Sequence, residues 1–594
     1  MADFVLPQLH RRAHWGGADD VRRRRGAPIH SERHVKIICI GAGASGLLFA
    51  YKLQRSFRNF DLTVYEKNEE VAGTWWENNP GCACDVPAHN YTWSFEPKLD
   101  WSAVYAGSGE IFNYFHHFAK KYSLRKYCKT HHQVIGATWN NTRGGYDVVV
   151  QHTATRETFS DYCDILINAG GILNAWRWPA IPGLDKYKGT LVHTANWDGN
   201  VDLTGKHVGL IGNGSSGIQV LPTIQPHVQK VTTFIREPTY VSPVQGLEQH
   251  VFTPQELHDF ANRPGSLLQY RKQVETGLNG QFSLFLKGSS TQDDTRAYMI
   301  GQMKQKLNNK LLEDKLIPSW SLGCRRLTPG VGYLESLTKE NVEVVYGGIK
   351  EITEKGCLCE NDQEYPVDVL ICATGFDTTF KPRFPLIGPS GSNLQDEWVN
   401  EPKSYFGLAA ADFPNYLIFL GPNCPIGNGP VLSAIEVQAD WMLAVIDRYQ
   451  TSNIHSIAPK REAVDDFVAW KDEFMKSTVW ADPCRSWYKA NQADAPVTAL
   501  WPGSTLHYIE ALTEVRWDDL EVKYNSNRFT WLGNGFSQCE SDPTADWAYY
   551  IREYDDQEYQ SRGRRREILT RSGTITERAG AVNFTGNTEL HANL

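Results

Sequence analysis

Apolar residues run without a break over Ile37–Ile40, stop at Gly41, and return at helical spacing over Leu47–Leu53. The pattern predicts a strand, a tight turn and a helix. The turn itself is Gly41-Ala42-Gly43-Ala44-Ser45-Gly46, a G-x-G-x-x-G spacing. In such a turn the first glycine allows the bend, the second lets backbone approach a pyrophosphate, and the third lets helix pack on strand. A second strand, Leu62–Tyr65, ends in Glu66, the acid expected to bind a ribose hydroxyl. Strand, glycine turn, helix and distal acid together specify a dinucleotide site, with Ala44 and Ser45 opening the helix toward the phosphates.

The same pattern recurs about 170 residues later. His207–Ile211 reads as a strand running into Gly212-Asn213-Gly214-Ser215-Ser216-Gly217, and the following strand, Val231–Ile235, ends in Arg236 instead of an acid. A carboxylate there would repel a 2′-phosphate, whereas a guanidinium binds one bidentately. The first unit is therefore expected to hold FAD and the second NADPH. Between them, Glu110–Lys121 reads as a helix, and Tyr146–Val150 and Cys163–Asn168 as strands. Val71–Pro97 is a long loop rich in Gly, Pro, Trp and Asn, and loops of that length usually bind something.

After Pro238 the periodicity turns helical, with a capping box at Thr253-Pro254-Gln255-Glu256 and one long charged helix expected over Thr291–Lys315. Strand pattern returns at Asn341–Tyr346 and Val367–Thr374. The fold expected is α/β: two Rossmann-like dinucleotide-binding domains with a helical insert. Residues 34–170 and 385–540 form the FAD domain, 171–237 and 325–384 the NADPH domain, and 238–324 the insert. Residues 1–33 form an N-terminal arm and 541–594 a polar C-terminal extension.

Composition narrows the classes. The 594 residues carry a net charge of −8, which argues against a nucleic-acid surface. The short basic runs Arg22–Arg25 and Arg564–Arg566 read as solvated tails. No apolar run is long enough for a membrane helix, and the N-terminus lacks a charged-then-apolar signal pattern. The 12 cysteines are scattered, which suits a reducing compartment better than a disulfide framework. Cys82/Cys84 and Cys357/Cys359 have no partner at zinc spacing, so no metal is expected and they read as ordinary thiols. The sequon at Asn213 lies inside a glycine turn, where a glycan would block the cofactor. The expected location is cytoplasmic.

Tyr187-Lys-Gly-Thr-Leu-Val-His-Thr-Ala-Asn-Trp-Asp198 resembles the F-x-G-x-x-x-H-x-x-x-W-(P/D) fingerprint of Baeyer–Villiger monooxygenases. Gly189, His193, Trp197 and Asp198 match, and Tyr187 stands for the Phe. The likeness runs from His34 to about Phe536. Cys82–Pro87, Gly429–Leu432 and Trp501–Ser504 are similar to the fungal secondary-metabolite branch. The resemblance implies a class B flavin monooxygenase: NADPH reduces FAD, dioxygen is activated on the flavin, and one oxygen enters beside the carbonyl of a bulky ketone to give an ester or lactone. The same oxygen-activating machinery also serves hydroxylation, epoxidation or heteroatom oxidation.

The resemblance assigns residues too. Arg326, in Gly323-Cys-Arg-Arg326, matches the arginine that stabilises the oxygen anion, and Asp85 its neighbouring carboxylate. Arg325 takes a lysine position and is expected to join Arg236 on the 2′-phosphate. Thr74, Trp75, Asp85 and Tyr91 match flavin-contacting positions, with Trp76, Glu77 and Val134 placed in the same site. Trp487 matches a tryptophan on a loop that closes over nicotinamide and substrate. His193 is read as structural, coupling the interdomain linker to NADPH binding. Two departures stand out: Trp75–Gly81 is one residue short and has Asn79 before Pro80, and Glu237 replaces a threonine after the phosphate-binding arginine.

Overall fold

The computed structural model describes residues 26–78, 81–241, 246–425, 427–429 and 431–551. The departure at Asn79 and Pro80, both basic runs, most of the N-terminal arm and most of the C-terminal extension lie outside the described residues.

The first glycine turn joins β1 (Val35–Ile40) to α1 (Ala44–Ser56), which leads into β2 (Phe60–Tyr65). A five-stranded parallel sheet grows around this unit in the order Tyr416–Ile418, Ile165–Asn168, β1, β2, Cys128–Lys129. β1, Ile165–Asn168 and Tyr416–Ile418 are largely buried and so read as apolar runs, whereas β2 alternates toward the edge of the sheet. One face is covered by α1, the helix Ser108–Lys121 and the long helix Val431–Thr451. The other carries an antiparallel meander, His132–Asn140, Gly145–His152 and Thr158–Cys163, through a core that includes Ile38, Tyr65, Val148 and Trp398.

The second unit repeats this arrangement. β3 (His207–Ile211), α2 (Ser215–Ile224) and β4 (Lys230–Ile235) are the centre of a parallel sheet ordered Val342–Tyr346, β4, β3, Val369–Cys372, Thr190–His193. In both sheets the glycine turn follows the central strand at its carboxyl end, where ligands bind in open α/β sheets. The two linkers between the sheets run side by side: Trp176 pairs with Phe376, and the Asp377 amide donates to the Ala175 carbonyl at 2.7 Å.

Three features differ from the sequence reading. The long helix expected over 291–315 is two helices, Ser290–Leu307 and Lys310–Leu316. Asn308 sits at φ 41°, and the Asn309 side chain caps the second helix by accepting from the Leu311 and Leu312 amides. The segment 238–324 is not one body. α3 (Pro254–Asn262) and α4 (Ser266–Asn279) send Leu257, Phe260 and Tyr270 against the first core, while Met299, Met303 and Leu307 enter the second. Met475, Trp480, Tyr488 and Leu500, expected with the first unit, also pack into the second core.

Cysteine chemistry differs as well. Cys324 and Cys484 form a disulfide across 160 residues, which the scattered spacing had not suggested. Cys82, Cys84, Cys357 and Cys359 are free, as expected.

Candidate active site

The first turn is built as its glycines require. Gly41 lies at φ +98°, and a Cβ on Gly46 would sit 2.0 Å from the Gly41 carbonyl oxygen. Only a hydrogen there lets α1 start against β1. The second turn repeats the contact, with Gly217 as close to Gly212. α1 has no side-chain cap and no acid in its first turn. Its amides, with the positive end of the helix dipole, are thus available to phosphate.

A cavity of about 480 Å³ opens at this turn. Of the sequence-assigned residues, Gly41, Gly43, Ala44, Ser45, Glu66, Thr74, Trp75, Asp85, Tyr91, Val134, Ser215, Ser216, Arg326 and Trp487 line it. Gly46, Gly212, Asn213, Gly214 and Gly217 form the turns behind the wall. Glu66 is buried, its two oxygens accepting from the amides of Ala42 at 2.8 Å and Asn68 at 2.9 Å. Burial raises its pKa, and those two bonds oppose the rise.

Trp76 and Glu77 do not reach the wall. Trp76 is 41% exposed and lies against Phe112, while Glu77 pairs with Lys67 at 2.7 Å and accepts from Asn174 at 3.1 Å. One turn of helix, Thr74–Glu77, points Thr74 and Trp75 inward and so carries the next two residues away.

Arg326 and Asp85 meet on the wall. Nε donates to Oδ2 at 2.7 Å and Nη2 to Oδ1 at 2.8 Å, a bidentate fork. Burial opposes the arginine's charge, but Asp85 and the Tyr488 hydroxyl outweigh it and hold the pKa above its usual value. Tyr488 is pushed up to about 12, chiefly by burial. α2 lies against the Asp85 loop, where Gln219 donates to the Ala83 carbonyl at 2.9 Å. A carboxylate from the first unit and a guanidinium from the second are thereby set on one surface. Trp75 meets Tyr91 edge-on with ring centroids 5.4 Å apart, next to them.

The residues assigned to the 2′-phosphate lie at the end of β4, off this wall. Arg236 is exposed, and Arg325 is held by Glu237, stacked on Trp320 at 4.7 Å and donating to the Pro238 carbonyl at 3.2 Å. His193 is buried at the edge of the second sheet, stacked on Trp176 at 4.7 Å with Nδ1 accepting from the Ala195 amide at 3.1 Å. Burial lowers its pKa to about 4, which makes the ring a weak base at neutral pH. Trp197 packs on the second core, Asp198 accepts from the Asn200 amide, and Gly189 faces the Tyr187 ring.

Sequence reasoning missed part of the wall: Gln219 from α2, Phe380 and Lys381 after the second linker, and Tyr416, Leu420 and Pro422 at the edge strand. The signal in the chain was weak, consisting of Ala373-Thr374-Gly375 before the first group and Gly421-Pro422 closing the second.

A family profile described as an NAD(P)-binding Rossmann-like domain matches residues 39–107. The chain is 40% identical to the FAD-binding monooxygenase tazF of Aspergillus terreus over 88% of its length and 96% of that protein. It is 31% identical to a Baeyer–Villiger monooxygenase of Streptomyces coelicolor over 86% of its length and 96% of the relative. The chain belongs to the Baeyer–Villiger family of FAD-binding monooxygenases. The crystal structure of cyclohexanone monooxygenase from Rhodococcus sp. Phi1 bound to NADP+ superposes with a TM-score of 0.73 at 26% identity, covering 83% of this chain and all of that one.

As a monooxygenase of this family the enzyme uses FAD and NADP(H), and its residues fit both. The first turn offers uncapped amides and the acid Glu66 for a nucleotide without a 2′-phosphate. The second offers a cationic end to β4. Among the described residues no cluster could hold a metal ion, and no helix is long and apolar enough to cross a membrane.

Proposed function

We propose that this monooxygenase carries out a Baeyer–Villiger oxidation, inserting one oxygen atom of dioxygen beside the carbonyl of a bulky ketone to give an ester or lactone at the expense of NADPH. The observation that carries the reading is the Arg326–Asp85 fork on the wall of the cavity that begins at the FAD turn. FAD, when bound, supplies the reduced ring on which dioxygen is activated.

The chain's own residues do the rest. The amides opening α1 receive phosphate, and Glu66 accepts from ribose hydroxyls. Arg326 keeps its proton at any working pH, so it sets a permanent positive charge beside a developing oxyanion. Asp85 fixes the plane of the guanidinium, leaving little to reorganise when negative charge forms. Trp75, Tyr91 and Trp487 line the same cavity and keep water from it. Insertion needs no base to take a proton from the substrate, in keeping with a His193 that is not among the residues lining the cavity.

The test is NMR of the product from a panel of bulky ketones with holoenzyme, NADPH and air. A new C–O–C linkage next to the former carbonyl is expected. A hydroxylated, epoxidised or heteroatom-oxidised product from every turned-over substrate refutes the assignment.

A further inference from the structure

Two arginines from separate segments meet at one carboxylate, and a third arginine precedes it in the chain. Arg236 follows the last residue of β4, and Glu237 comes next. Arg325 pairs with Glu237 through Nη2, and Arg485 approaches the other oxygen through Nε at 3.4 Å. Glu237 is itself anchored to the second glycine turn, because its carbonyl accepts from the Asn213 side chain at 2.9 Å. The cluster therefore sits where the second strand of a Rossmann unit meets the adenosine ribose. Two cations on one anion, with Arg236 next to it in the chain, leave the cluster positive overall.

The disulfide explains how distant segments hold this shape. Cys324 immediately precedes Arg325 and Cys484 immediately precedes Arg485, so one covalent bond fixes both guanidinium-bearing backbones together. The nearby Asp482 is already paired with Lys287 at 2.9 Å and does not compete for them. A solvent-exposed ion pair alone contributes little and needs neither a third arginine nor a staple.

We propose that Arg485 is a third guanidinium of the NADPH 2′-phosphate site, and that Glu237 is its internal counterion, displaced when the phosphate enters. Selectivity for NADPH over NADH is then set by Glu237 and Arg485 together, within a frame held by Cys324–Cys484. The inference rests on the second turn binding NADPH and makes no use of the ketone chemistry.

The test is calorimetric binding of 2′,5′-ADP and of 5′-AMP to the holoenzyme, so that loss of ketone turnover leaves the measurement intact. The wild type is expected to prefer 2′,5′-ADP. Arg485→Gln should weaken 2′,5′-ADP about tenfold and leave 5′-AMP within about twofold, with Arg485→Lys recovering part of the loss. Glu237→Gln should tighten 2′,5′-ADP about tenfold without changing 5′-AMP. Cys484→Ser and Cys324→Ser should each cost about threefold, as should reduction by a dithiol, which gives up two electrons and two protons to yield two thiols. Equal affinity of the wild type for the two probes overturns the site. An unchanged probe ratio in Arg485→Gln overturns the role of that arginine. Wild-type binding by both serine variants overturns the role of the staple.

Discussion

Replacing Arg326 with alanine separates the two halves of the proposed reaction. Nε and Nη2 donate to Asp85 and Tyr488 also bonds the group, so the guanidinium is held in place, and its replacement removes one fixed cation from beside a reacting oxygen. Losing one oxyanion donor costs roughly 3–4 kcal/mol of barrier, or about 100- to 1000-fold in oxygen insertion. Folding suffers less. Breaking a buried ion pair costs about 3–5 kcal/mol, but these side chains are 23% and 25% exposed. Screening reduces the loss to roughly 1–2 kcal/mol, and the fold survives. Flavin bleaching by NADPH, followed anaerobically in stopped flow, should stay within about threefold of wild type, since hydride transfer needs no oxyanion stabilisation. Ester formation should fall by two orders of magnitude or more, with NADPH consumption diverted to free hydrogen peroxide. Asp85→Asn should do the same more mildly, by freeing the guanidinium's plane while keeping one acceptor. If Arg326→Ala still makes ester within a few-fold of the wild-type rate, the guanidinium is not the oxyanion partner and the reading is wrong.

Gly46→Ala should abolish FAD retention, because the added carbon would lie 2.0 Å from the Gly41 carbonyl; a flavin-to-protein absorbance ratio equal to wild type would contradict this. Trp487→Ala should open the cavity to water and raise peroxide release per NADPH several-fold; unchanged coupling would remove Trp487 from the wall's function. His193→Ala should slow NADPH-driven flavin reduction more than it slows oxygen insertion, and equal reduction kinetics in stopped flow would exclude a coupling role. His89 is buried among Phe252, Phe260 and Tyr270 with neither ring nitrogen bonded, and burial chiefly lowers its pKa to about 4. The folded state then binds fewer protons than the unfolded one between about pH 6.5 and 4, so stability falls as pH drops through that window. The loss should reach about 2 kcal/mol at pH 5. Denaturant titrations of His89→Phe should show a flatter pH dependence, and a slope matching wild type would rule His89 out as the source.

What the sequence made legible was local. A glycine turn, the strand before it and the helix after it are written in about 20 consecutive residues, because the close contact of Gly46 with Gly41 is a local necessity. The split of the 291–315 helix was also written locally, in Asn308-Asn309: one residue adopts a left-handed conformation and its neighbour caps the second helix. That signal was lost to the charged helical periodicity around it. The position of Trp76 and Glu77 likewise reflects a single turn of helix, but only once the direction of Thr74 is known.

The rest of the wall is a matter of tertiary packing. Asp85 and Arg326 are 241 residues apart and belong to different units, and what joins them is the seating of α2 on the loop at Ala83. The Glu237 departure was visible as a changed letter, yet its consequence depends on Arg325 and Arg485 arriving from two other segments. The disulfide next to both arginines was invisible because spacing along a chain says nothing of proximity between loops. The segment bearing Cys484 also carries Trp487 and Tyr488, so one short stretch lies beside the proposed anion site, lines the cavity and bonds Arg326. A displacement of that stretch would be felt at Arg326 through its bond to Tyr488. On the proposed assignment, that contact is the physical path by which occupancy of the second nucleotide site would alter the Arg326–Asp85 pair.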